Sequence, residues 1–302
     1  MALRVTPGMM HMQLTRNLTR NLGQAADLQE QVTSGRRINR ASDDPVGITY
    51  SLRYRSELAA NDQYQRNVDS ALSWLDFSDT VLDQSTEVLK RVKELAVQGA
   101  NGTNPNVALN NIADEIEQLK GQLLDISNSK LNGKYVFNGQ KFDQKPYDTS
   151  VVPFDAKAVD TDDTDVAYAV GVGVTLPVNI SGNQAFGHPG ETDNAFAVLD
   201  RIIAALRSGQ HNDASAEIPM IESRMNKILN AQSEIGARVN RVELIQNRLK
   251  DLEINLTDLK SKTEDAEFEK LLIASKINEN IYQASLSVGA KVIMPSLVDF
   301  LR

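Results

Sequence analysis

The sequence predicts a mainly α fold with a small β-rich insertion, an elongated, coiled-coil-like antiparallel helical rod built from its N- and C-terminal halves. Three observations predict it. Apolar residues recur every seven positions in two long stretches near opposite ends of the 302-residue chain. The segment richest in β-branched residues, Gly and Pro lies between them. Aromatic residues make up 5% of the chain, with a single Trp, and helical rods run on Leu, Ile, Val and Ala where compact enzyme cores draw on more aromatic surface.

Leu14, Leu18, Leu22, Ala25, Leu28 and Val32, spaced three and four apart, give the first helix one apolar side. It ends near Ser34 and Gly35, because Gly readily takes the left-handed conformation after a helix. In the connector that follows, Asp44 and Pro45 read as N-cap and first helical residue, with Asp43 adding negative charge at the positive end of the helix dipole. Val68, Leu75, Leu82, Leu89 and Ala96 then recur every seven residues, with Ala71, Ser78, Ser85 and Val92 at the second seam position. At 1.5 Å per residue this helix is on the order of 80 Å long. The turn cluster at 99–106 stops it, and Asn104 and Pro105 repeat the cap-and-proline start. A third helix carries Ile112, Ile116, Leu119, Leu123 and Ile126 on one side, up to a turn at Leu131 to Lys134.

From 135 to 191 the texture changes. YVFNG, VAYAVGVGV and LPVNI are broken by Pro, Gly and Asp and predict a small β-rich domain. A short helix from about Thr192 to Ser208 returns the chain to helical pattern, with Phe196, Leu199, Ile203 and Leu206 on one face. The last ladder, roughly Ala214 to Val292, places Ile235, Val242, Leu249 and Leu256 at one seam and Ile245, Leu252, Leu259 and Ala266 at the other. It is expected to continue unbroken through Ile273, Ile277, Ile281 and Val288 to Pro295.

Packed antiparallel, the two ladders give a rod of 45–134 and 192–261, with Val68, Leu75, Leu82, Leu89, Leu249, Leu252, Leu256 and Leu259 in its core. The ends, 1–44 and 262–302, form two arms whose apolar stripes lack enough neighbours to offset the entropy of ordering them. These arms are expected to be disordered in the monomer and to order when subunits associate. The residues expected to make subunit contacts are Leu14, Leu18, Leu22, Val32, Arg36, Arg37, Ile273, Ile277, Ile281, Val288 and Leu297, the two arginines by meeting acidic groups on an adjacent subunit.

The chemistry-bearing residues are sparse. The net charge of −8 argues against a nucleic-acid partner, although the first 42 residues carry six Arg against Asp27 and Glu30. There is no cysteine, hence no thiolate or disulfide chemistry. No run of 18 apolar residues occurs, so no membrane span is expected, and the start lacks the apolar core of a signal peptide. His11, His188 and His211 have no metal-ligand spacing. DTDDTD at 160–165 lacks the central Gly and closing Glu of a calcium loop, and GVGV at 171–174 lacks the third glycine and helix of a nucleotide site. Trp74 sits beside the ladder as a core residue or an interface anchor. No enzyme, metal or cofactor is expected.

The residues around this connector resemble the flagellin superfamily. SGRRINRASDDPVGITYSLRYRSELAANDQYQRNVDSALSWLDFSDTVLDQ and RVKELAVQGANGTN are similar to its N-terminal region, and the ladder from Ser233 to Val288 to its C-terminal region. GKYVFNGQKFDQKPY, VGVGVTLPVNISGNQAFG and the ending IMPSLVDFLR are more similar to members that join the hook to the filament than to filament subunits. The resemblance implies a bacterial flagellar, extracellular structural protein exported through the flagellar type III channel without a cleaved signal peptide. It implies self-association as a helical ring, a neighbouring hook-associated protein on the hook side, and flagellin or a second junction protein on the filament side. An export chaperone is implied as well, acting on the C-terminal arm. A short filament flagellin is the alternative. Arg91, Leu95 and Glu115 match positions of the superfamily's immune-receptor face.

Overall fold

The computed structural model describes residues 7–150 and 154–298, with side chains for 8–150 and 154–290. It is mainly α, with two small antiparallel hairpins. In chain order the elements are α1 (Pro7–Ser34), α2 (Pro45–Gly99), α3 (Asn106–Ser127), β1 (Lys130–Leu131), β2 (Lys134–Tyr135), β3 (Ala167–Gly171), β4 (Val174–Pro177), α4 (Gly182–Phe186), α5 (Ala195–Arg207), α6 (His211–Glu264) and α7 (Phe268–Val298). The chain divides into two compact units, Asn61–Asp251 and the two ends, Met1–Ala60 with Leu252–Arg302.

In the central unit, α2 and α6 run antiparallel. Their bridges descend in one helix as they rise in the other: Asn61 Nδ2 to the Leu249 carbonyl at 3.0 Å, Gln246 Nε2 to Asp69 Oδ1 at 2.9 Å, Lys93 Nζ to Glu222 at 2.7 Å, and His211 Nδ1 to the Gly99 carbonyl at 2.9 Å. Every member of the α2 double seam from Val68 to Ala96 is buried. So are Ile221, Ile228, Ile235, Val242 and Leu249 of α6, a run at strict intervals of seven. Ser78 and Ser85 sit in that core because each hydroxyl donates back to its own helix, to the Trp74 and Val81 carbonyls. Helices α3 and α5 add a second layer, tied by Lys120 to Asp200 at 2.5 Å and by Arg207 to Asp114 and Glu117. The inner residues of α3 include Leu109, Ile112, Ile116 and Leu123.

The segment between β2 and α5 has less β structure than its composition suggests. Val136, Phe137, Val178 and Ile180 are buried, but outside any strand. Their β-branched and aromatic side chains serve a core with Tyr147, Phe186 and Phe196, whose rings meet edge-on or tilted. Backbone groups here are satisfied by amide side chains instead of a ladder: Asn138 donates to the Lys141 and Gln144 carbonyls, Asn183 to the Thr161 carbonyl, and Asn179 to the Thr164 carbonyl. The β3–β4 hairpin within it has Gly171 and Gly173 at its turn, so GVGV is a strand reversal.

Two boundaries also differ. Helix α3 begins at Asn106 with Pro105, whose side chain has no acceptor, in the cap position, and the Asn104 amide donates to the Gln98 carbonyl at 2.5 Å. The C-terminal ladder is not one helix. It breaks at 265–267 between α6 and α7, where its free backbone groups bond to the connector after α1.

In the unit of the two ends, α1 packs on α7. The α7 residues turned toward α1 include small and polar ones: Asn278 Nδ2 reaches Gln24 Oε1 at 3.5 Å, and Ser285 accepts from Asn21 at 3.4 Å. A Cβ added to Gly289 would lie 2.7 Å from Leu14 Cδ2, so the glycine permits the close approach of the two helices.

Candidate assembly surface

Two features of the end unit stand out: a locked connector and a helix pair with uncovered apolar flanks. Gly35, at φ 69°, turns the chain out of α1, and its carbonyl accepts from Ala266 N at 3.0 Å. Arg37 N donates to the Glu264 carbonyl at 2.7 Å, so the last turn of α6 finds its capping donor in the connector. Asp43 acts differently from the expected dipole charge. Its carboxylate folds the connector on itself, accepting from the backbone N–H groups of Asn39 at 3.0 Å and Arg40 at 2.8 Å. Those two bonds hold its pKa below the ordinary carboxylate value. Asp44 is the cap of α2, its Oδ1 accepting from Gly47 N at 2.9 Å.

Glu264 is the centre of this connection. Its side chain is 1% exposed. Oε1 meets Arg36 Nε at 2.7 Å and the Arg55 guanidinium, and Oε2 accepts from Ser51 Oγ at 2.8 Å and Arg55 Nε at 3.1 Å. Burial pushes the carboxyl up, but hydrogen bonds from Arg55 and Ser51 with the charges of Arg55 and Arg36 outweigh it and hold the pKa low. Arg36 and Arg37, expected to reach another subunit, thus have partners within this chain: Arg36 on Glu264, and Arg37 on the Thr263 carbonyl at 3.0 Å. Glu264, Arg55 and Ser51 were missed from the sequence. The available signal was charge complementarity, since the arginine-rich stretch at 36–55 matches the acids Glu264, Asp265, Glu267 and Glu269, which interrupt the last ladder.

Among the expected contact residues, Leu14, Leu18 and Val32 are half-buried on α1, and Leu22 is exposed. On α7, Ile273, Ile277, Ile281 and Val288 are 61%, 53%, 47% and 57% exposed. They form one stripe, beside the face of Leu271, Asn278 and Gly289 that is buried. Phe268, Leu272 and Leu286 are exposed as well. A helix apolar on more than one side is suited to several neighbours, and α1 covers one side. The Leu297 side chain lies outside the described residues.

The expected rod core divides. Val68, Leu75, Leu82, Leu89, Leu249 and Leu256 are buried, but Leu252 and Leu259 are 44% and 43% exposed, which corrects their placement in the core. At roughly 100° per residue both lie on the same side of Leu256, so the contact that buries Leu249 and Leu256 leaves that edge of the stripe in solvent.

His188 lies 3.9 Å from Asp163, and His211 contacts the end of α2. In DTDDTD, Asp160 and Asp163 accept from the Asn183 amide, and Asp162 accepts from Gln140 N at 3.1 Å. No group of three His, Cys, Asp or Glu suited to a metal occurs among the described residues. No helix among them is long and apolar enough to cross a membrane. Trp74 is buried, with no partner for its Nε1. Arg91 binds Glu115 at 2.7 Å and Glu94 at 3.2 Å, and Leu95 is buried.

Residues 5–142 match the model of the bacterial flagellin N-terminal helical region. The flagellar hook-associated protein 3 of Escherichia coli K12 is 25% identical over 306 residues, covering 94% of this chain and 95% of its own. The flagellin of Halalkalibacterium halodurans is 26% identical over 276 residues, covering 91% and 90%. Among solved structures, the FlgL of Xanthomonas campestris shares the fold at a TM-score of 0.61 and 16% identity, over 69% of this chain and 99% of that one. With helical ladders at both ends and a mixed insertion between them, the chain is similar along nearly its whole length both to hook-associated protein 3 and to flagellin.

Proposed function

We propose that the chain is a structural junction protein of the bacterial flagellum, connecting hook to filament as a ring of subunits held by their terminal helices and rods. The observation that carries self-association is the uncovered apolar stripe of α7, from Ile273 to Val288, in a helix pair that buries only its other face. The assignment to the junction is supported by the similarity to a hook-associated protein 3 over 94% of this chain and 95% of that one, against 91% and 90% for the flagellin. Residues 1–44 and 262–302 order fully on assembly, 45–134 and 192–261 form the rod, and 135–191 form the variable part. Leu14, Leu18, Leu22, Val32 and Leu297 join the α7 stripe in subunit contacts, while Arg36 and Arg37 serve them by holding the connector. The neighbours are a hook-associated protein below and flagellin or a second junction protein above. Export follows the flagellar type III route with a chaperone on the C-terminal arm.

A filament flagellin is the second reading, favoured by the flagellin relative and the N-terminal family match. Deleting the gene separates them. Junction function predicts intact hooks with flagellin shed into the medium. Filament function predicts that the subunit itself is missing and that other filament protein is not shed.

A further inference from the structure

We propose that Glu264 is a shared latch, one buried carboxylate that couples the connector after α1 and the break before α7 to α2, so that both ends are released together or not at all.

Three segments meet at this residue. The connector contributes Arg36, α2 contributes Ser51 and Arg55, and Glu264 itself ends α6. The two oxygens divide among them, Oε1 to both arginines and Oε2 to Ser51 and Arg55. Main-chain bonds around the latch cross between the same segments. Arg37 N donates to the Glu264 carbonyl at 2.7 Å, Ala266 N to the Gly35 carbonyl at 3.0 Å, and Arg36 pairs with Asp265 as an antiparallel bridge.

Geometry of this kind makes the segments interdependent. Loss of the carboxylate charge weakens the bond that satisfies the buried Ser51 hydroxyl and leaves two guanidinium groups without their anion. Freeing the connector likewise removes Arg36 from the carboxylate and the Arg37 N–H from the end of α6, so each segment loses its bonds to the other when one leaves. The helices beyond, α1 and α7, therefore hang from one point. The coupling stands on this geometry and does not depend on which flagellar lattice the chain joins.

Hydrogen–deuterium exchange of the full chain tests it, with the Arg37 and Ala266 amides as reporters from the two segments. In Glu264→Gln, both amides are expected to speed up by the same factor, at least about tenfold, the scale of losing a hydrogen bond to a charged group. Arg55→Gln lies on α2, outside both segments, and is expected to produce the same joint rise. Amides of the central unit, 61–251, report folding and stay protected. If Glu264→Gln also unfolds the central unit, Arg55→Gln and Ser51→Ala decide by the same criterion. Faster exchange at one reporter alone, or at neither, overturns the proposal.

Discussion

Replacing Ile273, Ile277 and Ile281 with Ser tests the apolar stripe of α7 directly. These side chains are 61%, 53% and 47% exposed, so roughly half of each remains to be covered by a neighbour. Full burial of an Ile contributes about 1.5 to 3 kcal/mol, so the uncovered half corresponds to about 1 kcal/mol per residue and about 3 kcal/mol for three. At 1.4 kcal/mol per tenfold, association of the triple variant is weakened by about two orders of magnitude per contact surface. The central unit contains none of these residues, and its thermal unfolding stays where it is in the parent. Sedimentation velocity across a concentration series, paired with a motility or filament-attachment assay in a complemented deletion strain, reads the difference. Association and attachment equal to the parent, with all three side chains replaced, would refute the reasoning.

Leu82→Ala removes a fully buried seam residue and costs about 2 to 5 kcal/mol, seen as an earlier thermal transition of the central unit by circular dichroism. Asp193 accepts from Arg224 at 2.7 Å, Lys227 at 3.0 Å and Ser223 at 2.8 Å, and Arg224 is itself buried. Burial raises the Asp193 carboxyl, but the bonds from Ser223 and Lys227 with the charges of Arg224 and Lys227 lower it further, below its ordinary value of 3.8. Its folded pKa is depressed, so its contribution is fully present above the unfolded value and is lost as pH falls through the folded one. Unfolding titrations below about pH 4 should therefore show a loss that Asp193→Asn flattens, while that variant is destabilised at pH 7 by about 3 to 5 kcal/mol. Asp44→Ala removes the cap of α2 and lowers stability by about 1 kcal/mol, measured by chemical denaturation.

The helical frame was legible because heptad spacing is a local signal that packing preserves. Each α2 seam residue from Val68 to Ala96 and the short α5 face lie where periodicity places them. Turn chemistry located Gly35 and the cap at Asp44 for the same reason. What could not be read depends on contacts distant in sequence. The break between α6 and α7 has no proline or glycine to announce it, and its backbone groups are satisfied by Gly35 and Arg37 from 227 or more residues away, as Ala266 to Gly35 and Glu264 to Arg37. In the insertion, β-branched residues such as Val178 and Ile180 are equally suited to a strand or to a loop core, and amide side chains took the place of a ladder. For the assembly surface, periodicity identified the stripe Ile273, Ile277, Ile281 and Val288 but not the side of α7 that α1 covers. That side is set by the close approach at Gly289 and the polar pair Asn278 and Gln24.

Side-chain footprinting by photogenerated carbene, comparing the free chain with assembled subunits, bears most directly on burial of the terminal helices between copies. The account predicts heavy labelling of Ile273, Ile277, Ile281 and Val288 in the free chain and strong protection once assembled, with the seam residues Leu75, Leu82 and Leu89 unlabelled in both. Equal labelling of the stripe in the two states would contradict it.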